Sequence, residues 1–137
     1  MTFDPKSDYP LGSTRPDLVA TPLGTALADV TLDAARNGAL GAAEIRATPG
    51  TLRLQAEVAR EAGRAQLAES LERAAELAAV PDDLLLEVYT ALRPRRATAG
   101  ELEAWAARLA GYDAVRTAAF VREAAAVYAD RGLLAGG

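Results

Sequence analysis

The sequence predicts a mainly α-helical protein of about five helices behind an extended, proline-rich N-terminal arm. Three observations carry this. Apolar residues recur at three- and four-residue spacing from Thr51 onward, prolines at 5, 10, 16 and 22 interrupt the first thirty-one residues, and helix-start and helix-stop signals alternate down to Gly132. The 137 residues suit one domain, with the arm over 1–31 and a helical domain over 32–137.

Proline removes a backbone donor and fixes φ, so residues 1–31 are not expected to be continuously helical. Within them Ala26 to Leu32 alternates apolar with small or polar residues, the period of a short strand or of an extended segment lying on a surface; a strand there must pair with something, and the segment near Val19 offers only a weak hairpin signal. Thr31 is placed to cap a short helix over Leu32 to Asn37 that Gly38 stops, and a turn follows at Ala42 to Arg46. The run Leu52, Ala56, Ala59, Gly63, Leu67, Leu71, Ala74 and Ala78 reads as one long helix, or two with a bend near Gly63 to Ser70. Pro81-Asp82 restarts a helix in which Leu85, Val88, Tyr89 and Leu92 share a face, and Arg93-Pro94 ends it. Thr98-Ala99-Gly100-Glu101 is a capping box ahead of a buried stripe of Leu102, Trp105, Ala106 and Leu109. After Gly111 and Asp113 the last helix carries Ala114, Ala118, Val121, Ala125 and Tyr128 on one face. The tail from Leu133 should fray unless docked.

Composition narrows the chemistry. There is no histidine and no cysteine, which removes the neutral-pH proton shuttle, the thiolate nucleophile, disulfides and every imidazole or thiolate metal site. The formal net charge is −4 with both signs interleaved, so no basic stripe for nucleic acid is present. No apolar run approaches the ~20 residues that span a bilayer, and a cytoplasmic location is the expectation. Alanine dominates the apolar half and only seven residues are aromatic, so the core of an isolated chain is thin. Burial stabilises by roughly 25 cal/mol per Å², and alanine brings little area.

The side chains that might carry chemistry read more simply as structure. Glu57/Glu61 and Glu69/Glu72/Glu76 lie at helical spacing beside Arg53, Arg60, Arg64 and Arg73, a solvated face with weak ion pairs. Asp82-Asp83 suits the amides and dipole of a helix start better than a metal. Tyr89, Trp105, Phe120 and Tyr128 fall among aliphatics at core spacing, with anchoring in a partner groove as the other reading. Arg122-Glu123 reads as a surface pair. Arg93, Arg95 and Arg96 surround Pro94 at a helix end, where they suit a phosphate, a partner carboxylate or the helix's own terminal carbonyls, with a partner-facing role for at least one set equal to the other readings. No nucleophile, base and oxyanion stabiliser come together, so no catalytic, cofactor-binding or metal-binding residue is expected on this chain.

The stretch Arg73-Ala74-Ala75-Glu76-Leu77 through Val80-Pro81-Asp82 to Tyr89-Thr90-Ala91-Leu92-Arg93-Pro94-Arg95 resembles the small (gamma) subunit of the adenosylcobalamin-dependent diol and glycerol dehydratases. Supporting pieces in the same order are Tyr9-Pro10-Leu11, Thr21-Pro22 with Gly24, Asp29-Val30-Thr31-Leu32, Ile45-Arg46, Thr51-Leu52 with Gln55-Ala56, and Phe120-Val121-Arg122-Glu123-Ala124 with Tyr128. The resemblance implies a non-catalytic, helical subunit of a lyase that turns propanediol or glycerol into an aldehyde and water. It implies a large TIM-barrel subunit that does the radical chemistry, a medium subunit, adenosylcobalamin held between those two, and a dimer of such heterotrimers. Tyr9, Leu11, Arg73, Arg93, Arg95 and Arg122 are the partner-facing candidates within the matched pieces. Two departures from the family pattern stand out. Only eight residues precede Tyr9, where members destined for microcompartments carry an amphipathic extension, and Ser70 stands where asparagine is expected. The competing reading, from the amphipathic helices alone, is a free-standing helical adaptor; an independent small enzyme ranks below both.

Overall fold

The computed structural model describes residues 2–136. Among them are seven α-helices and no strand: α1 (Leu11–Thr14), α2 (Leu32–Arg36), α3 (Pro49–Glu61), α4 (Ala65–Leu77), α5 (Asp82–Ala91), α6 (Ala99–Ala110) and α7 (Val115–Arg131). Mainly α is therefore the fold class, with more helices than expected because the arm coils locally and the long helix is two. The chain divides into two compact units, Met1–Ala78 and Ala79–Gly137.

In the first unit the proline-rich segment is not continuously helical, as its prolines require, but it is punctuated by short turns. α1 follows a cis Tyr9–Pro10 peptide, and 3-10 turns occupy Pro16–Leu18 and Leu27–Asp29. The side chain of Arg15 gathers these turns, reaching Asp8 at 3.0 Å and Asp17 at 2.9 Å. The Thr14 hydroxyl donates to the carbonyls of Asp8 and Pro10.

The strand expected over Ala26 to Leu32 does not form. What remains is one antiparallel bridge between Ala20 and Ala26, across a turn in which the Thr21 amide donates to the Thr25 carbonyl at 2.9 Å. The chain then coils instead, with the amides of Asp29 and Val30 donating to Ala26 and Leu27 at 2.9 and 3.2 Å. A lone strand would leave those donors unpaired, and a 3-10 turn satisfies them locally. The next expectation holds: the Thr31 hydroxyl accepts from the Ala34 amide at 3.1 Å, and Gly38 takes a φ of 80° behind α2.

α3 begins two residues before Thr51, on Pro49, with the Thr48 hydroxyl accepting from the Thr51 amide at 3.2 Å. It ends at Gly63, whose φ of 74° lets its amide bond Arg60 at 3.0 Å while the Arg64 amide bonds Ala59 at 2.8 Å. This paired closure is the Schellman motif, and it turns the chain back so that α4 packs on α3. The reversal also shifts the apolar register by one residue. Ala68 and Ala75 are buried with Leu71 packed alongside, whereas Leu67 is 45% exposed.

In the second unit α6 and α7 form the main helix pair, and α5 touches α6. The capping box is present in full: the Glu101 amide donates to the Thr98 hydroxyl at 3.2 Å and the Thr98 amide to the Glu101 carboxylate at 2.8 Å. Leu102, Ala106 and Leu109 on α6 and Ala118 and Val121 on α7 are fully enclosed, as is Ala114 just ahead of α7. Asp113, at a φ of 60°, turns the chain between the two helices, with its amide on Ala110 and that of Ala114 on Leu109. The tail docks rather than frays. The Arg95 amide donates to the Leu133 carbonyl at 2.7 Å and the Ala135 amide to the Ala97 carbonyl at 2.8 Å.

Candidate functional site

The acidic clusters resolve into surface electrostatics. Glu61 pairs with Lys6 at 2.9 Å and Glu72 with Arg60 at 3.4 Å. Asp82 and Asp83 occupy the first turn of α5 behind Pro81, which itself supplies no side-chain cap. No group of three metal-ligating side chains occurs among the described residues. Ser70, the departure from the expected asparagine, donates its hydroxyl to the Gln66 carbonyl at 3.0 Å and accepts from Arg73 at 3.2 Å. The shorter side chain thus keeps a local hydrogen bond.

The partner-facing candidates have separate environments. Tyr9 is 63% exposed, while Leu11, two residues on, is buried in the chain's own packing. Tyr9 and Leu11 both border a groove of about 960 Å³ in the first unit, between the arm and the α3/α4 pair, with Val58, Leu67 and Leu71 on its far side. Arg73 is half-buried on α4. Arg122 on α7 is committed to Glu103 on α6 by three hydrogen bonds of 2.8 to 3.1 Å, so its partner is Glu103 rather than the neighbouring Glu123. This places the Glu103 carboxyl below the usual carboxylate range and raises the guanidinium, each mainly through the hydrogen bonds between them.

Arg93 and Arg95 belong to a tight turn closing α5. The Arg96 amide donates to the Arg93 carbonyl at 3.2 Å across Pro94 and Arg95, and Arg95 takes a φ of 63°, a region a side chain with a Cβ rarely enters. Proline at the second position favours such a turn, and the docked tail holds the third. Arg93, Arg95 and Arg96 are exposed.

The aromatic residues correct the core reading in part. Tyr128 is half-buried with its hydroxyl on the Leu92 carbonyl at 2.5 Å, and Trp105 is half-buried with Arg108 stacked 4.8 Å from its ring. Tyr89 and Phe120, by contrast, are 58% and 45% exposed. On α5 Val88 is buried as expected, but Leu84 is buried with it in place of Tyr89, which is exposed along with Leu86. Three consecutive leucines, Leu84 to Leu86, make that register ambiguous to periodicity. Leu86, Thr90, Ala91, Arg96, Ala97 and Trp105 line a second groove of about 510 Å³ beside α6.

The geometry is that of grooves, exposed apolar side chains and guanidiniums, with no assembled reaction centre among the described residues. Sequence reasoning missed Leu86 and the Lys6–Glu61 and Arg15–Asp8 pairs; a third consecutive leucine on a short helix was the signal for the first. No described helix is long and apolar enough to cross a membrane.

Residues 5–135 match the family model described as dehydratase small subunit. The propanediol dehydratase small subunit of Citrobacter freundii is 52% identical over 131 residues, covering 95% of this chain and 76% of that protein. The protein of the same name from Salmonella typhimurium is 51% identical with the same coverage. The chain therefore belongs to the dehydratase small-subunit family, whose members work beside other subunits.

Proposed function

We propose that this chain is the non-catalytic small subunit of an adenosylcobalamin-dependent dehydratase that converts propanediol, or glycerol, to an aldehyde and water, and that it stabilises the catalytic large subunit. The observation that carries the reading is the family match across residues 5–135 of a chain with no histidine and no cysteine. Both relatives bear the name propanediol dehydratase small subunit, and they share about half their aligned residues with this chain.

The chain's residues do not fit the cobalamin itself. The sequence offers no imidazole to cobalt; the larger groove is lined mainly by apolar side chains, and the smaller one mixes Leu86, Ala91, Ala97 and Trp105 with Glu87, Arg96 and Glu101. The cofactor is accordingly assigned to the other subunits, a TIM-barrel large subunit and a medium subunit, in a dimer of heterotrimers. This chain's share of the work is binding: it covers apolar surface on the large subunit and holds it in its folded form. Cytoplasmic assembly, free or within a microcompartment, belongs to the same proposal. Tyr9, Leu11, Arg73, Arg93, Arg95 and Arg122 remain its interface residues, Leu11 and Arg122 through the local structure they hold in place.

The test is co-expression with the large and medium subunits of such a dehydratase. The expected result is a three-component complex that dehydrates propanediol when adenosylcobalamin is supplied. Full activity and unchanged thermal stability of the other two subunits without this chain would reject the stabilising role.

A further inference from the structure

We infer that Leu86 and Tyr89 on one face of α5, with Arg93, Arg95 and Arg96 in the turn that ends it, dock against another subunit of the same dehydratase, on a face whose carboxylates surround an apolar centre. The inference rests on the family reading above and gives it a surface.

α5 is apolar on two sides. Leu84 and Val88 are buried within its own unit, while Leu86 and Tyr89 on the other side are 67% and 58% exposed. A helix apolar around its circumference is the pattern of one enclosed on both sides, and in this chain only one side is enclosed. Leu86 and Tyr89, three residues apart on the helix, form one exposed stripe, and Arg93 follows in the turn that closes it.

Charge states the chemistry of the occupant. Arg15, Arg60 and Arg122 each pair with a carboxylate of this chain. Among the described residues no carboxylate pairs with Arg93, Arg95 or Arg96, although the whole chain carries a net charge of −4. Glu87 borders the adjoining groove, and Glu101 is engaged in capping Thr98. The unsatisfied charge at the end of the stripe is thus positive and planar, suited to carboxylates in a two-pronged contact.

The arginine turn is anchored before any partner arrives. Its backbone is tied to the tail through Arg95 and Leu133, and again through Ala97 and Ala135. Ordering a loop weakens association, and here that cost is met within the subunit. The 510 Å³ groove shares Leu86 and Arg96 with the stripe and reaches Trp105, so one protruding apolar side chain of the partner can seat there.

The test uses the full chain titrated onto the purified large and medium subunits, at low and high salt. The wild-type complex should form, and weaken steeply with salt. Arg93→Glu combined with Arg96→Glu should weaken it about a hundredfold and flatten the salt dependence; Arg93→Gln with Arg96→Gln should give an intermediate loss. Tyr89→Ala should weaken it about tenfold at either salt concentration. Circular dichroism equal to wild type for these exposed substitutions separates docking from folding, and the glutamine pair keeps the charge test available if the glutamates unfold the chain. Wild-type assembly with all variants binding equally well would overturn the inference and leave the family reading standing. Failure of the wild-type chain to assemble would remove both. Loss of a homodimer or of bound nucleic acid in the variants, with subunit assembly unchanged, would also overturn it.

Discussion

Glu103 and Arg122 meet across the α6/α7 pair on an exposed surface, and their pairing is a statement about acid stability. The folded pKa of Glu103 lies below its unfolded value because Arg122 holds the ionised form by hydrogen bonds. The stabilisation is therefore complete above the ordinary glutamate pKa and is lost as pH falls through the lowered folded value. Glu103→Gln should remove that part of the acid sensitivity while leaving neutral-pH stability close to wild type, since exposed pairs contribute little; melting temperatures at pH 7 and at successive acidic steps check this. Enclosed side chains behave otherwise. Leu102→Ala should lower the unfolding free energy by about 2–5 kcal/mol, the range for a leucine replaced by a cavity, measured by urea denaturation. At this scale the Thr98–Glu101 box was legible because both partners lie within one turn. The exposure of Tyr89 was not, because among Leu84, Leu85 and Leu86 local spacing does not say which one faces inward.

Helix ends show how the same backbone conformation is filled well at one site and poorly at another. Gly63 and Asp113 both sit at positive φ, 74° and 60°, and both close a helix before a reversal. Gly63→Ala meets no atom within 4 Å, so its expected loss of about 1 kcal/mol comes from backbone strain alone. Asp113→Gly should raise stability by a few tenths of a kcal/mol or more, as glycine replaces a residue that carries a Cβ there. Thermal melts of the two variants, opposite in sign, test the account together. The helices from Leu32 onward were readable from caps, glycines and prolines. The segment before them departs from its alternation at Ala26 to Leu32, where a strand was one reading but no second strand occurs among the described residues to accept its donors.

For the molecule as a whole, alanine decides both strength and dependence. Among the described residues only Leu102, Leu109 and Val121 are large side chains enclosed almost completely, and more than half of the buried apolar positions are alanine. The chain alone should therefore unfold at low denaturant, and addition of the large subunit should raise its apparent stability in proportion to the logarithm of partner concentration, as mass action requires. Hydrogen exchange of this chain with and without partner measures both. With no histidine or cysteine, no side chain here has an ordinary pKa between about 5 and 8. Changes in assembly across that range should originate in the other subunits. The arginines around Pro94 were visible as partner candidates from sequence because they cluster at a helix stop. Their anchoring by Leu133 and Ala135 was not, since it joins residues nearly forty positions apart.

Trp105 is the sole tryptophan, it lines the groove next to Leu86, and Arg108 covers one face of its ring. That arrangement makes the chain its own spectroscopic probe. Incorporation of fluorotryptophan into this subunit alone would give one fluorine resonance from the edge of the proposed contact, readable within a large complex however many tryptophans the unlabelled subunits contain.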